Sequence, residues 1–178
     1  MKRHAKIVLT TIILVFFQCG KKTGFYPVKA QPELLEGSDV IISNFHATSY
    51  KEQSLEWDMQ AKKSYTIQDT GLTHVYHFTI HFYDNGQIAN TITAEKGIFD
   101  SSAGKFILKN NVLVQSANGR KLTTSELTWY EKSQVLFTDK PVQIELPEGD
   151  IISGIGLKAD KKINRYELYQ GHGFHPPE

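Results

Sequence analysis

Three histidines lie close together in LTHVYHFTIHFY, at His74, His77 and His81, and are the first candidates for a metal site. Imidazole ligands must reach one ion at about 2 Å. In an extended chain His77 and His81 share a face, yet four strand residues set them about 13 Å apart. Solvated strand histidines are therefore expected, with no metal and no cofactor. The segment GIGLKA, Gly154 to Ala159, has the GxGxxA spacing of a dinucleotide-binding turn. Such a turn opens a βαβ unit with an acidic residue about 20 positions on; the sequence leaves no room for one, and these glycines are expected to relieve crowding within a strand. Glu56 and Asp58 can share a strand face as an acid–base pair, but they sit within ordinary solvent-facing alternation. No GxSxG elbow, Walker loop or HExxH is present, and without a convergent polar set no enzyme is expected.

The single cysteine, Cys19, excludes an internal disulfide framework. It follows the basic stretch MKRHAK and the uncharged run IVLTTIILVFF, Ile7 to Phe17. A helix of that length measures about 16 Å, roughly half the hydrocarbon thickness of a bilayer. The run suits the apolar part of a secretory signal, and Cys19 stands where bacterial lipoprotein signals place the cysteine that is lipidated. Phe16 and Gln18 depart from the usual residues around such a cysteine. Three readings stay open: a lipidated Cys19, an uncleaved N-terminal anchor, or an ordinary secretory signal. All three export the domain and attach it to, or pass it through, a membrane. A net charge of +1 over 178 residues gives no electrostatic basis for nucleic-acid binding.

These side chains must be positioned by strands. SLEWDMQA sets Leu55, Trp57, Met59 and Ala61 against Glu56, Asp58 and Gln60, the alternation of a half-buried strand. In LTHVYHFTIHFY, strict alternation places Leu72, His74, Tyr76, Phe78, Ile80 and Phe82 on one face, and Thr73, Val75, His77, Thr79, His81 and Tyr83 on the other. The next residues, Asp84-Asn85-Gly86, predict a tight type I′ hairpin turn. Further turns are expected at 100–104, 117–119 and 147–149, and no segment carries a capped helical stripe. The chain reads as all-β, with residues 1–18 as a targeting segment, 19–37 as a tether containing Pro27 and Pro32, 38–170 as one domain and 171–178 as a flexible tail.

The strands also repeat. FILKNNVLVQ, from Phe106, and LFTDKPVQIE, from Leu136, stand thirty residues apart in the same rhythm. Phe99 matches Trp129, Ile107 matches Phe137, Val112 and Val114 match Val142 and Ile144, and Leu127 matches Leu157. A recurring unit of this length implies hairpins that bury their faces on neighbouring copies.

Several segments occur in a fixed order: Trp57 with Ala61, TAEKGIF (Thr93 to Phe99), NNVLV (Asn110 to Val114), GRKLTTSEL (Gly119 to Leu127), PVQI (Pro141 to Ile144) and SGIGLKAD (Ser153 to Asp160). Together with the N-terminal membrane-attachment signal, this set resembles the LptC family, within the wider OstA/LptA-like group, over roughly residues 38–168. The resemblance implies an open, twisted β-jelly roll of repeated antiparallel hairpins around an apolar trough. It implies a non-catalytic role on the periplasmic side of the inner membrane. There the protein would accept lipopolysaccharide or a similar lipid from an ABC transporter of the LptB/F/G kind and pass it to an LptA-like bridge. A structural or adhesion lipoprotein that uses the sheet as a scaffold is the alternative. Period-two alternation points Phe78, Ile80, Phe82, Ile92, Val112, Val114, Trp129, Val142 and Ile144 inward, with Trp129 the most exposed to a shift at a bulge. The resemblance makes these nine the lipid-binding interior, and makes the last strands, with Ile163, Tyr166 and Leu168, the edge that meets the next protein.

Overall fold

The structure, a computed structural model, describes residues 33–34 and 39–174. The apolar run and Cys19 lie outside the described residues. Ten strands follow one another: β1 (Glu33–Leu34), β2 (Asp39–Lys51), β3 (Ser54–Ile67), β4 (Leu72–Asp84), β5 (Gln87–Asp100), β6 (Lys105–Ser116), β7 (Lys121–Tyr130), β8 (Val135–Glu145), β9 (Ile151–Asp160) and β10 (Tyr166–Phe174). Each pairs antiparallel with the next in a single sheet, and no pairing closes the first strand onto the last. The fold is the expected all-β, open β-jelly roll. The repeat is one hairpin of two strands, so thirty residues separate equivalent positions of β6 and β8 or of β7 and β9.

The turns behave as their residues require. Asn85 and Gly86 both have positive φ, 52° and 77°, the combination that defines a type I′ turn, and Asp84 faces Gln87 across it. Turns alternate between two ends of the sheet. The first end holds residues 52–53, 85–86, 117–120 and 146–150; the second holds 68–71, 101–104, 131–134 and 161–165.

Midway along the strands the ladder is interrupted across the whole sheet. Asn44, His77, Asn110, Asn111 and Gly156 adopt positive φ there, and register shifts fall at Thr93/Lys96, Lys109/Val112, Thr124/Thr128 and Thr138/Pro141. Asparagine and histidine enter the left-handed region more readily than bulky residues, and Pro141 is tolerated because it sits at such a break. Each strand bends at this line, and the inward parity changes with it.

The bend corrects one sequence expectation. On β4, Phe78, Ile80 and Phe82 are buried as expected, but toward the second end Thr73 and Val75 are the buried residues, while Leu72, His74 and Tyr76 are only partly buried. Strict alternation fails because His77, with φ of 48°, resets it. Two boundaries also move. Glu33 and Leu34, within the expected tether, pair with β2. Residues 171–174 of the expected tail pair with β9 as far as Phe174 opposite Ile151.

Candidate functional site

The bend folds the sheet across its own strands, so first-end halves pack on second-end halves. Phe82 of β4 meets Trp129 of β7, with ring centroids 4.9 Å apart, and Trp57 of β3 meets Phe99 of β5 at 6.1 Å. Between these layers lies the inner face. All nine residues expected there are at most 4% exposed, Trp129 included. Its parity is carried by the register shift between Thr124 and Thr128.

Register turns these residues into rows. Ala47, Met59, Ile80, Ile92, Val114, Leu122, Ile144 and Ile152 are successive cross-strand partners from β2 to β9. No polar side chain interrupts this aliphatic line. On the opposing layer Phe99, Phe106, Trp129, Leu136, Ala159 and Tyr166 form a second row from β5 to β10. Leu122 and Leu136, fully buried within these rows, were missed as site residues, although the alternation around Val114 and the thirty-residue match of Phe106 with Leu136 both signal them.

The apolar space bordered by Trp57, Met59, Phe82, Phe106 and Trp129 holds a void of about 10 Å³, room for about one water molecule. Polar groups close it at both ends. Near the first end of β3, the Glu131 carboxylate accepts 3.4 Å hydrogen bonds from the Trp57 indole N–H and the Ser49 hydroxyl. At the other closure the β9–β10 turn folds back over the first end of β4 to β6. Ser116 Oγ donates to the Lys162 carbonyl at 2.9 Å, Lys161 Nζ donates to the Tyr83 carbonyl at 3.3 Å, and Lys162 pairs with Asp84. That hydrogen bond from Lys162 holds the Asp84 carboxyl below its ordinary range. One buried donor stands out within the apolar face: the Trp129 indole nitrogen has no hydrogen-bond partner, a cost of about 1–3 kcal/mol.

Among the described residues the last strand, β10, pairs with β9 alone, and none of them covers its other side. Tyr166 and Leu168 pack against the core, so both continue inner rows to the edge. Ile163 does not lie on that edge. It sits in the 161–165 turn with φ of 55° and is fully buried, because the turn folds this one apolar residue inward among hydrogen-bonded neighbours. The glycines of β9 serve close approach, as expected from their place in a strand. A Cβ on Gly154 would lie 2.5 Å from the Gln170 carbonyl oxygen.

The remaining polar candidates do not converge. His74 packs beside Tyr65, and His81 Nδ1 lies 3.0 Å from the Thr91 hydroxyl. His77 is exposed at the bend. Among the described residues no group of three His, Cys, Asp or Glu could hold a metal ion. Asp58 accepts a 2.7 Å hydrogen bond from Tyr83, which raises the phenol's pKa.

An open, all-β sheet is the architecture that the resemblance of the ordered sequence segments implies. The family described as "Lipopolysaccharide-assembly, LptC-related" matches residues 5–172, nearly the whole chain. The chain belongs to the LptC family. Membership gives it a role in lipopolysaccharide transport in the cell envelope, within a family of lipid-transport components. No curated protein gives a significant match. Among the described residues no helix is long and apolar enough to cross a membrane.

Proposed function

We propose that this LptC-family domain admits the acyl chains of lipopolysaccharide, or of a lipid built like it, between its two layers. It accepts the lipid from an inner-membrane ABC transporter of the LptB/F/G kind and passes it to an LptA-like protein joined at β10. The unbroken aliphatic row from Ala47 to Ile152 carries this reading, since it offers acyl chains an apolar path from strand to strand. Each methylene removed from water is worth about 0.8 kcal/mol. Parting an aromatic pair such as Phe82 and Trp129 costs about 0.5–1.5 kcal/mol beyond the area the rings bury, and acyl methylenes that take their place between the layers keep that area out of water. The unpartnered Trp129 N–H then meets an acceptor in the ester or amide carbonyl of the lipid. A strand added to β10 extends the inner rows beyond Tyr166 and Leu168 by backbone pairing. Lipidated Cys19, or an uncleaved N-terminal segment, holds the domain on the periplasmic side of the inner membrane.

The tight interior, with its void of about 10 Å³, favours a second reading, a structural or adhesion lipoprotein whose sheet is a scaffold. Capture of the full chain from detergent-solubilised membranes separates the two. Transport predicts recovery of an ABC transporter and of lipopolysaccharide with the wild type, and loss of the lipid with Ile80→Glu. Recovery of neither transporter nor lipid would leave only the scaffold.

A further inference from the structure

The outer face of the sheet has two unlike halves. Toward the first end its central row is Gln60, Thr79, Thr93, Leu113, Thr123 and Gln143, an ordinary solvent-facing surface. Beyond the bend the character changes. Tyr65, His74, Ile98, Ile107, Thr128 and Phe137 are successive cross-strand partners from β3 to β8. Ile98, Ile107 and Phe137 are half-buried on this face, and the described residues form one sheet with no helix to cover them. The thirty-residue repeat keeps this feature, since Ile107 and Phe137 are equivalent positions, and the transport role leaves it unused.

A basic row runs alongside. Lys63, Tyr76, Lys96 and Lys109 are consecutive partners on the same outer face. Lys109 bonds Glu126 at 3.1 Å, whereas Lys63 and Lys96 are exposed and no carboxylate among the described residues pairs with them. Like charges placed directly opposite, as Lys96 and Lys109 are, destabilise a sheet, so the row has no structural purpose of its own. The chain also enters the sheet here. Glu33, the first described residue of the sheet, pairs with Ile41, between the second end and the bend at Asn44, so the part of the chain that bears the apolar run of residues 7–17 joins the sheet on the half that carries the outward apolar row.

We infer that this outer second-end face is an interfacial docking surface for an anionic phospholipid bilayer, with Ile98, Ile107 and Phe137 entering the headgroup boundary while Lys63 and Lys96 meet lipid phosphates. Apolar and aromatic residues beside lysines are the combination that binds such interfaces. A second copy is the poorer occupant, because an isologous contact would bring two basic rows to one interface. Docked in this way, the domain lies on the membrane with its polar half toward water.

The test uses the full chain in vesicles of phosphatidylcholine containing one-third phosphatidylglycerol, without lipopolysaccharide, so that its result is independent of cargo binding. A photocrosslinking residue is placed at Ile107 or Phe137, and at Thr79 or Thr123 for comparison. Phospholipid adducts are expected at the first two positions, several-fold above the second two. Each lysine near an anionic surface contributes about a fivefold preference, so Lys63→Glu with Lys96→Glu should lower capture at Phe137 by about tenfold or more. High salt, or vesicles of phosphatidylcholine alone, should act in the same direction. Equal capture at all four positions would overturn the inference. So would an adduct at Phe137 to a second protein copy or to residues 1–32 of the same chain.

Discussion

The rings of Phe82 and Trp129 lie 4.9 Å apart at an interplanar angle of 60°, although two strands, β5 and β6, lie between theirs in the sheet and the two residues are forty-seven positions apart in the chain. This contact is where the fold of the sheet across its strands becomes measurable. Trp129→Ala should destabilise the domain by about 3–5 kcal/mol, as large-to-small aromatic changes in cores do. A double-mutant cycle with Phe82→Ala should show a coupling of about 0.5–1.5 kcal/mol. Denaturant unfolding measures both, and additive effects would mean that the layers do not meet through this pair.

The free edge depends on close approach between β9 and β10. Gly154→Ala sets a methyl group against the Gln170 carbonyl, a clash with backbone that no rotamer relieves. Amide hydrogen exchange should show loss of protection in β10, with β3 to β6 unchanged. Tyr166→Pro removes a donor from the same strand and should abolish capture of an LptA-like partner while β2 to β8 stay folded. Because Gly171 to Phe174 pair with Gly154 to Ile151, truncation after Gln170 should weaken that capture. Truncation after Phe174 should leave it unchanged.

The closure by the β9–β10 turn has a pH signature. The Lys162 hydrogen bond depresses the pKa of Asp84 from its ordinary value of 3.8. A carboxyl with a lower pKa in the folded state stabilises fully above its unfolded value, and the contribution disappears as pH falls through the folded value. Both side chains are more than a third exposed, so solvent screening holds the effect under about 1 kcal/mol. Asp84→Asn should lower stability slightly at neutral pH and lose its difference from the wild type in strong acid, as read by urea midpoints across pH.

Membrane attachment is tested at Cys19. Metabolic labelling with a fatty acid should mark the wild type and leave Cys19→Ala unmarked. Equal labelling of both would reject lipidation at this residue and leave an uncleaved anchor or an ordinary secretory signal.

Much of this architecture was legible in the sequence because hairpin turns and period-two faces are local properties. Asn85-Gly86 specified its turn, and the thirty-residue spacing identified the two-strand repeat. The bend was not legible. Nothing in VYHFT shows that His77 takes a left-handed conformation; tertiary folding of the two layers imposes it, and with it the inward turn of Val75. Ile163 misled for the same reason. In KKINRYEL it reads as a strand residue, whereas hydrogen bonds from the Lys162 and Asn164 amides to the Asp160 carboxylate shape a turn around it. The outer apolar row could be seen only once register placed Ile98, Ile107 and Phe137 side by side.

The central proposal is that acyl chains enter between the layers, and site-specific photocrosslinking in the presence of lipopolysaccharide tests it most directly. Crosslinking residues at Ile80, Val114 and Ile144 lie within the inner row, while His81 and Thr79 flank Ile80 on the outer face. Lipopolysaccharide adducts are expected at the three inner positions and at neither outer one, with the yield rising when an active ABC transporter supplies the lipid. Capture at the outer positions equal to that at the inner ones, or no inner capture from a folded protein with the transporter active, would contradict it.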